Sequence, residues 1–318
     1  MNKQIPNGVY PTMLTPFTED DHIDYDGVLR LLEWYADRGV RGVFAICQSS
    51  EIFFLSFKEK SELLRFIIRN KPANMKVVAS GHTADDLDTQ IKEANAYIDI
   101  GMDAYVFISN RFAKEGESDA IFLKNLEKAV KEINGIGLGF YECPYPYKRI
   151  ITPDIIQEIS SWGRFCFLKD TCCSIEMMSA KLDAMKGTGL KLFNANAATL
   201  LETLKLGCAG YSGVMANFHP ELYVWLCENF NSEPEKAKLV QDFVGFFSVA
   251  ECQEYPVNAK YYLGLEGLGF GYHSRARNTD WFTISRKMEI EQMHRLTAVF
   301  KEYIFKPEDN HSNSNNEI

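Results

Sequence analysis

Short unbroken apolar runs alternate along this chain with longer stretches in which apolar residues recur every three or four positions. The runs cover residues 9–15, 42–46, 76–80, 104–108, 137–141, 165–169, 191–193 and 210–214. Bounded by glycine, proline and polar residues, each reads as a short strand buried on both faces. The stretch 24–38 carries Val28, Leu31, Leu32 and Tyr35 at helical spacing, with Asp24 placed to cap it. Residues 57–68, 84–98, 119–133, 153–160, 175–185 and 198–206 predict further helices. One more starts near Pro220, a residue suited to a first helical turn. Strand followed by helix, repeated through the chain, predicts an α/β fold: a closed (β/α)8 TIM barrel, with a doubly wound open sheet as the alternative.

After Asn229 the strand pattern stops. Residues 233–249, 258–265 and 282–303 read as helices with apolar faces, too apolar to stand alone. The expected organisation is a barrel over 1–229, a helical extension over 230–306 packed on the barrel or on another subunit, and a tail over 307–318. That tail is polar and asparagine-rich, a composition that predicts disorder.

Composition narrows the function classes. A chain of 318 residues with 46% apolar content can bury a large core. A formal charge of −9 supplies no basic stripe for nucleic-acid phosphates, although it leaves room for a small anionic substrate. The first residues lack the apolar core of a signal peptide, and no segment is apolar for long enough to span a bilayer. Eight scattered cysteines without a CxxC spacing read as reduced thiols of a cytoplasmic protein. Six histidines without HxH or HExxH spacing predict no metal site.

In a barrel, catalysis belongs to the loops that follow the strands. The polar residues there are Thr15, the run Gln48-Ser49-Ser50-Glu51, His82, Ser109-Asn110-Arg111, Tyr141-Glu142, Lys169-Asp170, Asn194 with Asn196, and Ser212. A lysine has no place inside a strand buried on both faces, so Lys169 should stand where its strand emerges. Desolvation there favours the neutral amine, which can attack a carbonyl. Tyr141 ends the neighbouring strand, and serine hydroxyls lie within the same ring. Lysine, phenol and hydroxyls are the parts for Schiff-base chemistry on a keto acid. The phenol suits proton transfer if a nearby cation lowers its pKa. Arg111 is a candidate clamp for a carboxylate. Glu142 and Asn196 are candidates for the hydroxyls of a sugar acid. Glu51 is expected to brace its loop, and His82, Cys143 and Cys172 carry no predicted chemistry.

These residues resemble the pyruvate-dependent class I aldolase family that contains N-acetylneuraminate lyase and dihydrodipicolinate synthase. The likeness runs from Gly8 to about Pro220 and weakly over 256–263. It rests on Pro11-Thr12-Met13-Leu14-Thr15-Pro16-Phe17, Ile23-Asp24-Tyr25-Asp26, Tyr141-Glu142-Cys143-Pro144, Leu168-Lys169-Asp170-Thr171, Gly207 to Gly210 and Ala216-Asn217. The resemblance implies that Lys169 forms the imine with pyruvate and that Tyr141 is its acid/base partner. Gln48, Ser49 and Ser50 fall on the loop that holds the pyruvate carboxylate. Ser49 is the surviving hydroxyl when Glu51 is aligned, and Ser49 with Ser50 the pair under a one-residue slip. The carbonyl of Ser212 is expected near the imine. Gln48 replaces a hydroxyl, Asn110-Arg111-Phe112 stands where synthases place a second tyrosine, Pro146 where they carry an arginine, and Ala195 where glycine is common.

The expected reaction is aldol cleavage or condensation of pyruvate with an aldehyde, as in a sugar-acid or related 2-keto acid lyase, without metal or dissociable cofactor. A dihydrodipicolinate synthase proper, a keto-deoxy sugar acid dehydratase and a non-catalytic keto-acid-binding barrel are the alternatives. The family likeness also implies a homo-oligomer, a dimer or tetramer.

Overall fold

The structure is a computed structural model that describes residues 5–133 and 135–306. The tail expected over 307–318 lies outside the described residues. Eight parallel strands form one sheet in the order β1-β8-β7-β6-β5-β4-β3-β2. They are β1 (Gly8–Val9), β2 (Gly42–Ala45), β3 (Lys76–Ala79), β4 (Ala104–Ile108), β5 (Gly137–Tyr141), β6 (Phe165–Asp170), β7 (Leu192–Asn194) and β8 (Gly210–Tyr211). Between β1 and β2 the barrel closes through a single bridge, Thr12 to Phe44, with Met13 N–H donating to the Phe44 carbonyl and Phe44 N–H to that of Pro11. A closed parallel barrel replaces the open-sheet alternative.

The first strand is much shorter than the apolar run 9–15. Pro11 has no N–H to give a ladder, so pairing beyond Val9 is reduced to that bridge. The last strand ends at Tyr211, and the last residue of its predicted run, Val214, opens a 3-10 turn over Val214–Asn217. Where β1 meets β8, a Cβ on Gly210 would lie 1.9 Å from the Gly8 carbonyl oxygen, so only glycine permits this approach.

A helix follows each strand: α1 (Tyr25–Asp37), α2 (Phe57–Asn70), α3 (Leu87–Ile98), α4 (Asp119–Glu132), α5 (Pro153–Ser160), α6 (Ile175–Ala184), α7 (Leu200–Lys205) and α8 (Pro220–Asn229). Local signals set their starts. Asp24 accepts from Gly27 N–H, Ser56 forms a capping box with Glu59, and Asp86 accepts from Thr89 N–H, which starts α3 later than the predicted residue 84. The remaining helices are α9 (Pro234–Phe247), α10 (Val257–Leu265) and α11 (Ile284–Phe305). Among the described residues, no helix is long and apolar enough to cross a membrane.

The barrel interior is aromatic. Tyr10 meets Phe193 at 4.9 Å and Phe167 at 5.7 Å, Phe167 stacks on Phe193 at 4.7 Å, and Phe44 packs edge-on against Phe167 and Tyr141. Side chains two apart on a strand share a face, so Lys169 stands directly above Phe167 in this packing. Gly139 makes the layer fit, since a Cβ there would come 2.7 Å from the Phe167 carbonyl oxygen. The site is therefore built over a dry, rigid floor.

Candidate active site

Lys169 and Tyr141 are register partners across β5 and β6. Both are almost fully buried, and the Lys169 Nζ lies 4.2 Å from the centre of the Tyr141 ring. Among the described residues Lys169 makes no hydrogen bond or ion pair. Burial lowers its pKa to about 8, against a small opposing pull from Cys47, Cys143 and Glu251. A buried ammonium costs free energy unless it is paired, so an unpaired buried lysine shifts toward the neutral amine. Tyr141 behaves differently from the sequence expectation. Burial pushes its phenol well above the ordinary value, with neighbouring Cys143 and Cys47 adding to the rise.

The ends of these two strands are fixed from behind by a buried charge cluster. Outward-facing Asp170 and Glu142 share the Lys181 ammonium of α6, each at 2.5 Å and all fully buried. Burial alone would lower the Lys181 pKa, and the two carboxylates outweigh it. Glu142 also accepts from Ile151 N–H and Thr171 N–H. With its acceptors used in this way, Glu142 braces the strand ends and does not face a substrate hydroxyl.

On the other side, the residues after β2 form two short 3-10 turns, Gln48–Ser50 and Ile52–Phe54, hinged at Glu51 in the left-handed region with φ 61°. That conformation is uncommon outside glycine. It turns the Glu51 carboxylate inward, where it accepts from Lys260 Nζ at 2.6 Å, Ser274 Oγ, Arg275 N–H and Ala276 N–H. Glu51 thereby ties the loop to the segment between α10 and α11. Ser50 donates to the Met13 carbonyl and accepts from Cys47 N–H, so its hydroxyl is occupied within the fold. Ser49 lines the cavity together with Tyr255, whose hydroxyl accepts from Asn217. Gln48 Oε1 accepts the Tyr141 hydroxyl proton at 2.9 Å.

Above Tyr141 opens a cavity of about 530 Å³ lined by Gln48, Ser49, Phe53, Tyr145, Glu251 and Arg277, among others. The structure thus gathers Lys169, Tyr141, Gln48 and Ser49 at one place. Ser212 is buried beneath it, its hydroxyl donating to the Tyr10 carbonyl across the barrel seam. Lys169, Ser50 and Ser212 stand behind the lining and do not form it, and two further candidates lie elsewhere. Arg111 lies 3.4 Å from Asp85 and packs its guanidinium on the outer side of Phe53, in a separate cleft. Asn196 accepts from Ala198 N–H and caps a short turn after β7. Asn110 donates to the carbonyls of Cys143, Tyr145 and Tyr147 and so shapes the rim. His82 is a structural histidine: Ile108 N–H donates to Nδ1, which leaves Nε2–H for Gln90 Oε1 at 2.8 Å.

Sequence reasoning missed Tyr255, Glu251 and Arg277. All three come from the extension, where no strand end marks them. The Tyr255-Pro256 pair before an apolar helix was the one available signal. Among the described residues, no group of three or more His, Cys, Asp and Glu side chains is placed to hold a metal ion.

Comparison with known proteins is consistent over most of the chain. Residues 5–280 match the dihydrodipicolinate synthetase family. A 4-hydroxy-tetrahydrodipicolinate synthase of Clostridium perfringens is 22% identical over 69% of this chain and 73% of its own length. The enzyme of that name from Methanococcoides burtonii is 25% identical over 83% and 90%. Among solved structures, the E. coli K12 prophage protein YagE, in complex with pyruvate, superposes with a TM-score of 0.82 at 20% identity, covering 93% of this chain and 98% of that one. CdNal from Clostridium difficile, in complex with mannosamine, gives 0.81 at 18% identity, covering 91% and 98%. At such identities the structural likeness establishes the barrel fold, while the match over 5–280 establishes kinship: the chain belongs to the dihydrodipicolinate synthetase family of pyruvate-dependent class I lyases and synthases.

Proposed function

We propose that Lys169 forms a Schiff base with pyruvate and that the protein cleaves or condenses pyruvate with an aldehyde, as a sugar-acid or related 2-keto acid lyase. The observation that carries this reading is a nearly buried lysine, without hydrogen bond or ion pair among the described residues, held over the ring of Tyr141, which lines the cavity. The neutral amine attacks the keto carbon of pyruvate, and loss of water leaves an iminium. That cation draws electrons from the methyl carbon, giving the enamine that reacts with an aldehyde. It also stands over the Tyr141 ring, where its charge offsets the burial that holds the phenol proton. Ser49 and the backbone N–H groups of the loop following Cys47 suit the pyruvate carboxylate. Ser50, whose hydroxyl is engaged by Met13, contributes through its backbone. Arg111 and Asn196 enter only through a rearrangement of the rim, and Ser212 through its main chain. The barrel, 1–229, carries the imine chemistry, and the extension, 230–306, closes the cavity.

Borohydride reduction in the presence of pyruvate, followed by peptide mass spectrometry, tests the reading. The expected result is a pyruvate adduct on Lys169 that Lys169→Ala abolishes; the absence of an adduct between pH 6 and 9 would overturn it. Turnover against a panel of sugar aldehydes and aspartate semialdehyde, together with dehydration of keto-deoxy sugar acids, then separates lyase, synthase and dehydratase. The missing second tyrosine and the position of Arg111 favour the lyase.

The free state of all eight cysteines supports a reducing, cytoplasmic setting, to be tested by cell fractionation. A homo-oligomer is supported by α11. Its outer face carries Ile284, Met288, Leu296, Val299 and Tyr303, each between 52% and 78% exposed, in one stripe. Paired antiparallel with a second copy, the stripe sets Ile284 against Tyr303 and Met288 against Val299, with Glu291 near Arg295 of the second copy. Light scattering should show a dimer or tetramer that Val299→Glu dissociates. A wild-type monomer at micromolar concentration would end this proposal.

A further inference from the structure

The second half of an aldol reaction needs a proton carrier at the aldehyde oxygen, and Tyr141 is badly placed to be that carrier. Its hydroxyl proton is directed at Gln48 Oε1, and a neutral amide oxygen cannot pass a proton onward. Two other phenols stand on the cavity wall: Tyr145, which is largely exposed to water, and Tyr255, whose pKa burial raises further above an already high value. Of the two carboxylates on the wall, Glu51 is enclosed by four donors. The other is Glu251.

Glu251 lies in the 3-10 segment Ser248–Cys252, between α9 and α10, and lines the same cavity as Gln48, Ser49 and Tyr141. Among the described residues it makes no hydrogen bond or ion pair, and its charge is felt at Lys169. Its side chain is exposed at the surface, the part of it that is enclosed raises its carboxyl pKa, and Lys169 pulls it back. Arg277 shares the wall and donates from Nε to the Tyr255 carbonyl; among the described residues it forms no ion pair with Glu251.

Resting on the Schiff-base reading above, we infer that Glu251 is a further catalytic residue of this site, the acid and base that serves the oxygen of the aldehyde substrate. In condensation, the enamine carbon of Lys169-bound pyruvate forms a bond to the aldehyde carbon. The carbonyl π pair moves to oxygen, that oxygen takes the Glu251 proton, and the enamine becomes an iminium. In cleavage, the Glu251 carboxylate takes the hydroxyl proton, the O–H pair becomes the new carbonyl, and the carbon–carbon bond pair returns to the iminium to restore the enamine. Lysine imine and carboxyl thus divide the work between an early step and a late one, with the carboxyl supplied by the extension.

Glu251→Gln separates the two steps. Borohydride trapping of pyruvate on Lys169 should stay within about twofold of wild type. Turnover with the best aldehyde of the panel should fall by about a hundredfold or more, the usual contribution of a positioned acid or base. Glu251→Asp should recover part of the rate, with the pH limb assigned to this carboxyl displaced. Turnover of Glu251→Gln within tenfold of wild type overturns the inference. So does parallel loss of trapping and turnover, which would place Glu251 at the imine step or in the fold. Failure of the wild-type protein itself to give an adduct or to turn over any aldehyde brings down the underlying reading instead, and the inference with it.

Discussion

Among the described residues, Lys169 differs from the other buried lysines in making neither a hydrogen bond nor an ion pair, since even Lys60 donates to the Thr83 hydroxyl. Lys181 holds two carboxylates and Lys260 holds Glu51, whereas Lys169 has the faces of Phe44 and of the cavity-lining Tyr141 beside it. An ammonium in such surroundings gives up its proton early, and the reactive amine becomes available at lower pH. The rate of borohydride-dependent trapping should therefore rise with pH and level off above about 8, the value to which burial lowers this lysine. A midpoint near that of an ordinary lysine, read from trapping rates between pH 6 and 10, would show that desolvation is not what activates it. A Lys169 at the end of an apolar strand was legible in the sequence. Its lack of a partner was not, because that depends on where Glu142 and Asp170 find theirs.

At the scale of elements, β5 and β6 are joined twice: by their ladder, and by Lys181 of α6 behind it. Removing this lysine leaves Glu142 and Asp170 as facing, buried like charges. Lys181→Met should lower stability by about 3–5 kcal/mol, the usual cost of breaking a buried pair from one side. Calorimetry or urea unfolding would measure the loss, and a change under 1 kcal/mol would show that solvent reaches the cluster. Both carboxylates are visible as polar strand ends, and the sequence alone suggested a sugar-binding role for Glu142. Its true partner lies on the inner face of a helix with a weak apolar pattern, whose orientation is fixed only when α6 packs.

Across the whole molecule, acid should act through two histidines buried as neutral rings. Burial lowers the pKa of His82 to about 4, and that of His219 to about 3 with help from Lys301. In the unfolded chain each takes a proton as the pH falls through about 6.5. The fold binds that proton only at lower pH, so stability is complete above 6.5 and declines toward pH 4, by roughly 3 kcal/mol for His82 alone. Among the described residues both ring nitrogens of His219 lack a hydrogen-bond partner, and the ring stacks on Tyr223. His219→Phe should keep that packing and flatten the acid limb. Urea midpoints at pH 7 and pH 5 would detect it, and an unchanged slope would mean that the ring is already charged in the fold.

The eight strand-and-helix units, the order of polar strand ends and the neighbourhood of Tyr141 and Lys169 follow from the sequence by itself. Periodicity, caps and breakers are local properties, and a parallel barrel turns sequential strands into neighbours. Other features required the folded chain. The direction of Gln48 toward Tyr141, the engagement of Arg111 by Asp85 and the closure of the cavity by Glu251, Tyr255 and Arg277 all depend on how loops pack across the barrel mouth. Such contacts join residues far apart in the chain, and no local pattern encodes them. The imine-forming half of the site is thus written along the strands, while the half that meets the second substrate is decided by tertiary packing of the extension.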